Sequence, residues 1–286
     1  MDIKNIPVRV IGPGSQPTED EVLSYIDMPS DMWTYARPSI PEPEDVEGLS
    51  GARESMRWLQ QALANHGAST EPQLANLTAL DDDNRELVNQ ILGEGEVSIT
   101  YNGACKARTQ EAVLAGVWRT VYFDQDDRTI ADILEVADVA HIVRMPDGRD
   151  RPVDASADGI PADVMNALPI LVELQSHCEQ YEKTRERHEI NLTLLPLSKA
   201  DLEFLDARLG RGPVDTLSRA YGKCQVISSE TPNVWWVRFY NSMGALILNT
   251  LEVVDVPAVL CAAPEDLCDS ATRLEGILEP YWPGAK

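Results

Sequence analysis

The sequence has few basic residues for its length. It contains 24 lysines and arginines against 47 aspartates and glutamates in 286 residues, which gives a formal net charge of −23. Nucleic-acid phosphates and anionic lipid surfaces are met by lysine and arginine, so this balance argues against both kinds of partner. The acidity would attract a basic peptide or protein partner, although it can also serve solubility alone.

Long apolar runs are also absent from the sequence. No stretch is long and apolar enough to cross a bilayer, which predicts no membrane insertion. The start, MDIKNIPVRVIG, lacks a basic region followed by a long apolar region, so we expect no secretory signal. The five cysteines are an odd number without close pairing, which fits reduced thiols and predicts a cytoplasmic location.

Motifs of catalysis and of cofactor binding are missing. The sequence has no nucleophile elbow and no nucleotide fingerprint. Its four histidines are scattered, and none lies four residues from another or beside a cysteine at a zinc spacing. These absences predict a protein that is not an enzyme and that has no cofactor and no metal site.

The cysteines of the second half leave an alternative open. Cys224, Cys261 and Cys268, if gathered in space, could hold or receive an iron–sulfur cluster. The lack of a C-x₂-C spacing favours structural cysteines instead, because buried free cysteine is the common case.

Two glycine-rich stretches, ILGEGEV and RLGRGPV, reveal an internal repeat. Each follows a helical pattern, so Gly93 and Gly210 are expected to end helices rather than to cradle a phosphate. The offset of 117 between these glycines continues downstream without a gap, and it aligns Val117-Trp118 with Val234-Trp235. An upstream segment aligns at an offset of 115. The chain is therefore predicted to contain two copies of one unit.

The predicted fold class is α+β, with three segments. Residues 1–50 form an extended arm rich in proline and acid, residues 51–160 the first repeat, and residues 161–286 the second. The arm carries apolar side chains, which are expected to pack either on its own globule or on a partner. Each repeat is read as helix, strand, helix and several antiparallel strands, and the two are expected to be related by a pseudo-twofold. A helix is predicted from Pro161 to about Glu189, kinked or split at Pro169, and equivalent to the last helix from Pro264.

Several features distinguish the second repeat from the first. Trp235 and Trp236 are adjacent in a strand, which places one indole on each face of the sheet. Arg211 stands where the first repeat has Glu94, and Asn241 lies at a predicted hairpin turn. Maintenance of the fold and contact with a partner both remain open for these residues.

The composite of four motifs resembles the HupH/HyaF family of hydrogenase expression proteins. The motifs are G-R-G-P-V, V-W-W-V, L-N-T-L-E-V-x-D-V-P and E-D-L-x-D-S-x-x-R-L, and the arm is similar to that family's N-terminus. The resemblance implies a role in maturation of uptake nickel–iron hydrogenases, as a chaperone for the iron–sulfur small subunit before export. The implied partners are the small subunit precursor and other maturation proteins.

The resemblance also implies a set of partner-binding positions. Independently of the resemblance, Trp33 and Tyr35 of the arm are predicted to contact a partner, because aromatic side chains dominate interfaces. In the second repeat the matching positions are Gly210, Arg211, Gly212, Trp235, Trp236, Asn241, Glu252, Asp266, Ser270 and Arg273.

Overall fold

The protein has an α+β fold built on one large antiparallel sheet, which confirms the predicted class. The structure is a computed structural model, and it describes residue 46 and residues 48–66, 71–219 and 222–283. Within these ranges the chain forms ten strands and five α-helices. The predicted arm falls almost entirely outside the described residues, as do its anchors Trp33 and Tyr35.

The first half of the chain contains two helices and five strands. They are α1 (Ser50–Asn65), β1 (Gln73–Asn76), α2 (Asp82–Leu92), β2 (Val97–Asn102), β3 (Lys106–Glu111), β4 (Val117–Phe123) and β5 (Thr129–Val136). A 3₁₀ turn follows at His141–Arg144.

The second half repeats this order and adds a helix. Its elements are α3 (Ala167–Thr184), β6 (His188–Asn191), α4 (Lys199–Leu209), β7 (Val214–Ser218), β8 (Lys223–Ser228), β9 (Val234–Tyr240), β10 (Leu246–Val253) and α5 (Pro264–Leu278). Two 3₁₀ turns, Leu192–Leu194 and Ala258–Leu260, follow β6 and β10.

The strand order of the sheet reads the same from both edges in terms of the repeat. The order is β1-β5-β4-β3-β2-β7-β8-β9-β10-β6, and β2 pairs with β7 at the centre. In that central pair Ile99 lies opposite Thr216, which is its own counterpart at the offset of 117. One antiparallel ladder therefore joins the two repeats into a single sheet.

Equivalent side chains make equivalent contacts in the two halves. The indole N–H of Trp118 donates to the Ala137 carbonyl at 3.1 Å, and that of Trp235 donates to the Val254 carbonyl at 3.0 Å. Both residue pairs differ by 117. The internal repeat that the sequence predicts is thus visible in side-chain contacts as well as in strand order.

Alternation along the strands divides the core between the two faces of the sheet. On the helical face, α1, α2 and α5 cover the first half, and α3 and α4 cover the second. On the other face a shared core contains both Trp118 and Trp235. Side chains of one strand alternate between faces, so Trp236 packs on the helical face while its neighbour joins the shared core.

The helix predicted from Pro161 to about Glu189 is shorter than expected, and Pro169 does not lie in its interior. It begins at Ala167, so Pro169 lies in the first turn, where a missing N–H costs nothing. The Asp201 carboxylate fixes this start by accepting the backbone N–H groups of Met165, Asn166 and Ala167 at 2.7–3.1 Å. That carboxylate comes from α4, far along the chain, which local pattern does not reveal.

The last helix is also not the counterpart of α3. It follows β10 of the second repeat, yet its apolar side chains Leu267, Leu274 and Leu278 enter the core of the first repeat beside α1. The predicted equivalence of the helices after Pro161 and Pro264 is therefore wrong. The counterpart of α3 by position is α1, since each precedes the first strand of its repeat.

No helix in the described part of the chain is both long and apolar enough to cross a membrane.

Candidate partner-binding surface

The glycines of G-R-G-P-V hold the end of α4 against the sheet. Gly210 caps the helix with a positive φ of 65°. A Cβ at Gly212 would overlap the backbone oxygen of Ser229, and a Cβ at Gly95 of the first repeat would overlap that of Ala112. The two glycines therefore have structural roles, while the side chain of Arg211 is largely exposed and lies 3.6 Å from Asp206.

The two adjacent tryptophans are buried and do not reach a partner in this conformation. Trp235 donates its indole N–H to backbone carbonyls of Val254 and Asp255, and the guanidinium of Arg149 lies 4.2 Å from its ring centre. Trp236 packs against α3 and α4. As the sequence predicts, the two indoles lie on opposite faces; both serve the fold here.

Asn241 forms the turn between β9 and β10 with its side chain. Its Oδ1 accepts the backbone N–H groups of Met243 at 3.0 Å and Ala245 at 2.9 Å. In the first repeat Asp124 accepts the equivalent pair, the N–H groups of Asp126 and Arg128, at 2.8 and 2.9 Å. The same turn is therefore built twice, and Asn241 shapes it.

The tip of this second hairpin carries exposed apolar side chains. Met243 is 87% exposed and Ile247 is 57% exposed, and Leu246 is also exposed. The 3₁₀ turn after β6 lies beside them, because the N–H of Asn249 donates to Thr193 Oγ1 at 2.8 Å. That turn adds Leu194, which is 80% exposed. We call Leu194, Met243, Leu246 and Ile247 the apolar tip.

The corresponding place in the first repeat is mostly polar. Asp126 and Thr129 stand at the positions of Met243 and Leu246, and Asp127 forms an ion pair with Lys106 at 3.0 Å. Of the three hairpin positions in the apolar tip, only that of Ile247 has an apolar counterpart, which is Ile130. The two hairpins thus have one backbone turn and different surface chemistry.

The residues predicted on α5 join the two repeats. Ser270 is 1% exposed, and its hydroxyl donates to the Ala115 carbonyl in the β3–β4 turn at 3.0 Å. Asp266 lies near that turn, where its charge contributes to a raised pKa of Glu111 after the larger effect of burial. Arg273 is exposed on the same helix.

Glu252 is a half-buried residue of β10. Its pKa is raised by burial and by the neighbouring charge of Glu189, while Arg187 acts to lower it. It lies opposite Trp235 in the β9–β10 ladder.

The predicted positions do not form one continuous surface. The G-R-G-P-V turn contacts the β8–β9 end of the sheet, through the N–H of Gly212 and the carbonyl of Ser228 at 2.8 Å. Asn241 lies at the opposite end of β9, which has seven residues and hence spans roughly 20 Å. The α5 residues lie over the first repeat. The apolar tip, which no motif of the sequence marks, is near Asn241 only.

The three cysteines of the second half are not gathered into a ligand set. Cys224 and Cys261 pack with the shared core, and burial, followed by the charge of Glu252, raises the pKa of Cys224 to about 11. Cys268 lies elsewhere, in a cleft of about 880 Å³ between the end of α1 and the start of α5. Among the described residues, ligand-type side chains converge at one place, which consists of Glu173, His177 and His188.

Comparison with known proteins assigns the chain to a family. The family model described as "HupH hydrogenase expression protein, C-terminal conserved region" matches two regions, residues 49–150 and residues 164–281. These regions cover most of the chain and correspond to the two halves of the sheet.

Curated relatives match over nearly their whole length. "Hydrogenase expression/formation protein HoxQ" of Cupriavidus necator is 43% identical over 98% of this chain and 98% of its own. "Hydrogenase-1 operon protein HyaF" of Escherichia coli is 30% identical over 95% of each chain. A solved structure, "Hydrogenase expression protein HupH from Thiobacillus denitrificans ATCC 25259", is 34% identical over 38% of this chain and 92% of its own, with a TM-score of 0.37. The chain belongs to the HupH family of hydrogenase expression proteins.

Proposed function

We propose that this protein is a non-catalytic accessory factor of nickel–iron hydrogenase maturation. In this proposal it acts in the cytoplasm as a chaperone that holds the iron–sulfur small subunit before export, together with other maturation proteins. The names of the relatives, which are hydrogenase expression and formation proteins, support the general role. The apolar tip is the observation that supports the chaperone role.

The apolar tip fits the capture of an incompletely assembled protein. Contiguous exposed apolar side chains mark interaction surfaces in soluble proteins, whereas single ones are ordinary. Here Leu194 and the three hairpin residues are exposed in two neighbouring turns at one end of the second repeat. The first repeat presents aspartates on an identical turn, so the turn itself does not require apolar residues.

The charge of the chain supports a basic partner segment. With a net charge of −23, the protein attracts a positively charged chain, such as a basic export signal, and like-charged proteins are repelled. An association of this kind weakens as salt is added, because screening shortens the reach of exposed charges.

The arrangement of the segments is part of the proposal. Residues 1–50 are the arm, residues 51–160 and 161–286 the repeats, and a pseudo-twofold through the Ile99–Thr216 pair relates the repeats. Val46, near the end of the arm, is buried in the core with α1. The partner-binding part of the arm is therefore proposed to end before Val46, with Trp33 and Tyr35 as partner contacts.

The iron–sulfur alternative has weaker support. Cys224 and Cys261 are packed in a core, where the raised pKa of each thiol disfavours the thiolate that a cluster requires. We therefore expect Cys224→Ser, Cys261→Ser and Cys268→Ser each to preserve hydrogenase maturation in cells. Loss of hydrogenase activity in a folded variant would revive the alternative.

Equivalent positions in the two hairpins provide a direct test of the chaperone role. Ile247 and Ile130 are counterparts and are 57% and 55% exposed, so Ile247→Asp and Ile130→Asp impose the same change on the two tips. We expect Ile247→Asp to weaken capture of the small subunit precursor by roughly 5–30-fold, about 1–2 kcal/mol, as at an interface contact. Ile130→Asp should bind as the unchanged protein does. Equal effects of the two substitutions, or none, would refute the assignment.

Removal of the arm tests its proposed contribution. Deletion of residues 1–45 keeps Val46 in the core, whereas deletion of residues 1–48 removes it. We expect the shorter deletion to weaken precursor binding at low salt without lowering the melting temperature. Binding equal to that of the full chain would show that the arm has no part in capture.

A further inference from the structure

A helix and an edge strand of the second repeat bring two histidines and a glutamate together. Glu173 and His177 are four residues apart on α3, so they lie on one side of that helix. His188 is the first residue of β6, and its Nε2 is 2.8 Å from Glu173 Oε1. One ligand atom from each of the three residues lies within 4.8 Å of the others.

Neither sequence spacing nor the proposed chaperone role accounts for this cluster. The two histidines are separated by eleven positions, which matches no common metal-binding spacing. They become neighbours because the chain reverses at Arg185, which has a left-handed conformation with φ of 57°. After this reversal the chain passes from the end of α3 to the edge strand β6 within a few residues.

We propose that Glu173, His177 and His188 bind a divalent first-row transition-metal ion such as Zn²⁺. Two imidazoles and one carboxylate are a ligand set that suits such ions, whereas Ca²⁺ and Mg²⁺ prefer oxygen atoms. Three protein ligands leave a coordination position open for water or for a group from another molecule.

The site closes around the ion by small side-chain movements. The two imidazole rings are stacked, with centroids 3.4 Å apart and planes inclined by 7°. Parallel rings direct their nitrogen lone pairs side by side, so at least one ring rotates to point its nitrogen at a shared ion. Ligand atoms around a tetrahedral ion are roughly 3.4 Å apart, given bonds of about 2.1 Å. All three side chains are at least partly exposed, which leaves room for this rotation.

The surroundings of the cluster favour a cation. The carboxylates of Glu179 and Glu182 on α3 act on Cys178, which directly follows His177 in the chain. They therefore place negative charge beside the cluster.

The first repeat provides a natural comparison that is built differently. Its residue at the position of His188 is Gln73, since the two residues pair with the counterparts Val253 and Val136. Gln73 donates to the Ala62 carbonyl of α1 at 2.9 Å. A glutamine thus fits at the start of the edge strand, and His188→Gln is a variant that should fold.

Calorimetric titration of the full chain with ZnCl₂, after removal of any polyhistidine tag, tests the proposal. We expect one bound ion per chain, with binding weakened at least roughly 10–100-fold by His188→Gln or by His177→Ala. The control variants His66→Gln, His141→Gln and Cys178→Ser should bind zinc as the unchanged protein does. Mg²⁺ and Ca²⁺ should not compete.

A stability measurement separates loss of a ligand from loss of the fold. Without metal, the His188→Gln variant should have the same melting temperature as the unchanged protein. Addition of zinc should raise the melting temperature of the unchanged protein but not that of the variant. The proposal is overturned if the unchanged protein does not bind zinc. It is equally overturned if His177→Ala and His188→Gln bind as well as the unchanged protein, because the ion then lies elsewhere.

Discussion

At the scale of single residues, a buried carboxyl group sets a pH dependence. Glu135 is buried on β5 and accepts the backbone N–H of His141 at 2.8 Å. Burial, reinforced by the charge of Asp138 and opposed by that hydrogen bond and by Arg144, raises its pKa from 4.5 to about 7. The folded protein therefore holds a proton that the unfolded chain releases between these two values.

Glu135→Gln should change how stability depends on pH. The contribution of Glu135 to the stability of the fold is fully present below about pH 4.5. It is lost as the pH rises to about 7, because the folded state binds the extra proton. Glutamine keeps an acceptor for His141 and cannot ionise. At pH 8 we expect the free energy of unfolding of the variant to exceed that of the unchanged protein by at most about 3 kcal/mol. At pH 5 we expect no such gain.

Urea unfolding at both pH values measures this difference. Glu111→Gln should behave in the same direction, since burial also raises the pKa of Glu111 to about 7. Parallel stability profiles for Glu135→Gln and the unchanged protein between pH 5 and pH 8 would contradict the assignment.

Gly212 is expected to resist even the smallest substitution. A methyl group there meets the backbone oxygen of Ser229, which directly follows β8, so relief of the overlap requires the backbone at the end of that strand to move. Gly212→Ala should cost about 1–3 kcal/mol of unfolding free energy, as overpacking does. The control is Gly276→Ala on α5, where no neighbouring atom lies within 4 Å and a gain of about 0.5–1 kcal/mol is expected. Chemical denaturation decides, and a neutral Gly212→Ala would disprove the close approach.

The sequence predicts part of the chemistry at this scale. Gly210 follows a helical pattern, so its role as a cap is readable, as is the placement of Trp235 and Trp236 on opposite faces. The need for glycine at Gly212 comes from the approach of a strand, which is a tertiary contact. Burial of both tryptophans likewise depends on what covers each face.

At the scale of elements, α5 connects the two repeats, because it follows the last strand of the second and packs on the first. Ser270→Ala removes its hydroxyl from the Ala115 carbonyl and leaves that oxygen without this donor in a closely packed place. We expect a loss of about 1 kcal/mol. Thr272→Ala is the matched control, because that exposed hydroxyl bonds only to Cys268 in its own helix. Thermal melts should show a lower melting temperature for Ser270→Ala than for Thr272→Ala. Equal melting temperatures would argue against a stabilising contact between α5 and the first repeat.

The sequence predicts the secondary-structure elements better than it predicts the contacts between them. The hairpins and the second helices of both repeats follow from turn residues, alternation and the constant offset. The predicted start of α3 is wrong because the observed start depends on Asp201, and local sequence pattern does not reveal the contact between His177 and His188. Each depends on a residue from another element.

At the scale of the whole molecule, neither half should be stable alone. A fragment of residues 1–160 lacks α5 over its core and exposes the edge of β2. A fragment of residues 161–286 exposes the apolar side of α5 and the edge of β7. Unpaired central strands and uncovered apolar side chains both destabilise a fold.

Circular dichroism of the separate fragments tests this expectation. We expect neither fragment alone to show a cooperative melting transition. A mixture of the two fragments should show one. Independent melting of residues 1–160 near the temperature of the full chain would show that α5 and β7 are dispensable to it.

The central pairing of β2 with β7 also has a consequence for stoichiometry and descent. If two separate copies of one unit met through this strand, every surface feature would occur twice in the assembly. Fusion into one polypeptide removes that obligation, and each half is free to accumulate its own substitutions. The apolar tip and the histidine pair of the second half, opposite Asp126 and Gln73 in the first, show that divergence. One chain should therefore bind a single client molecule.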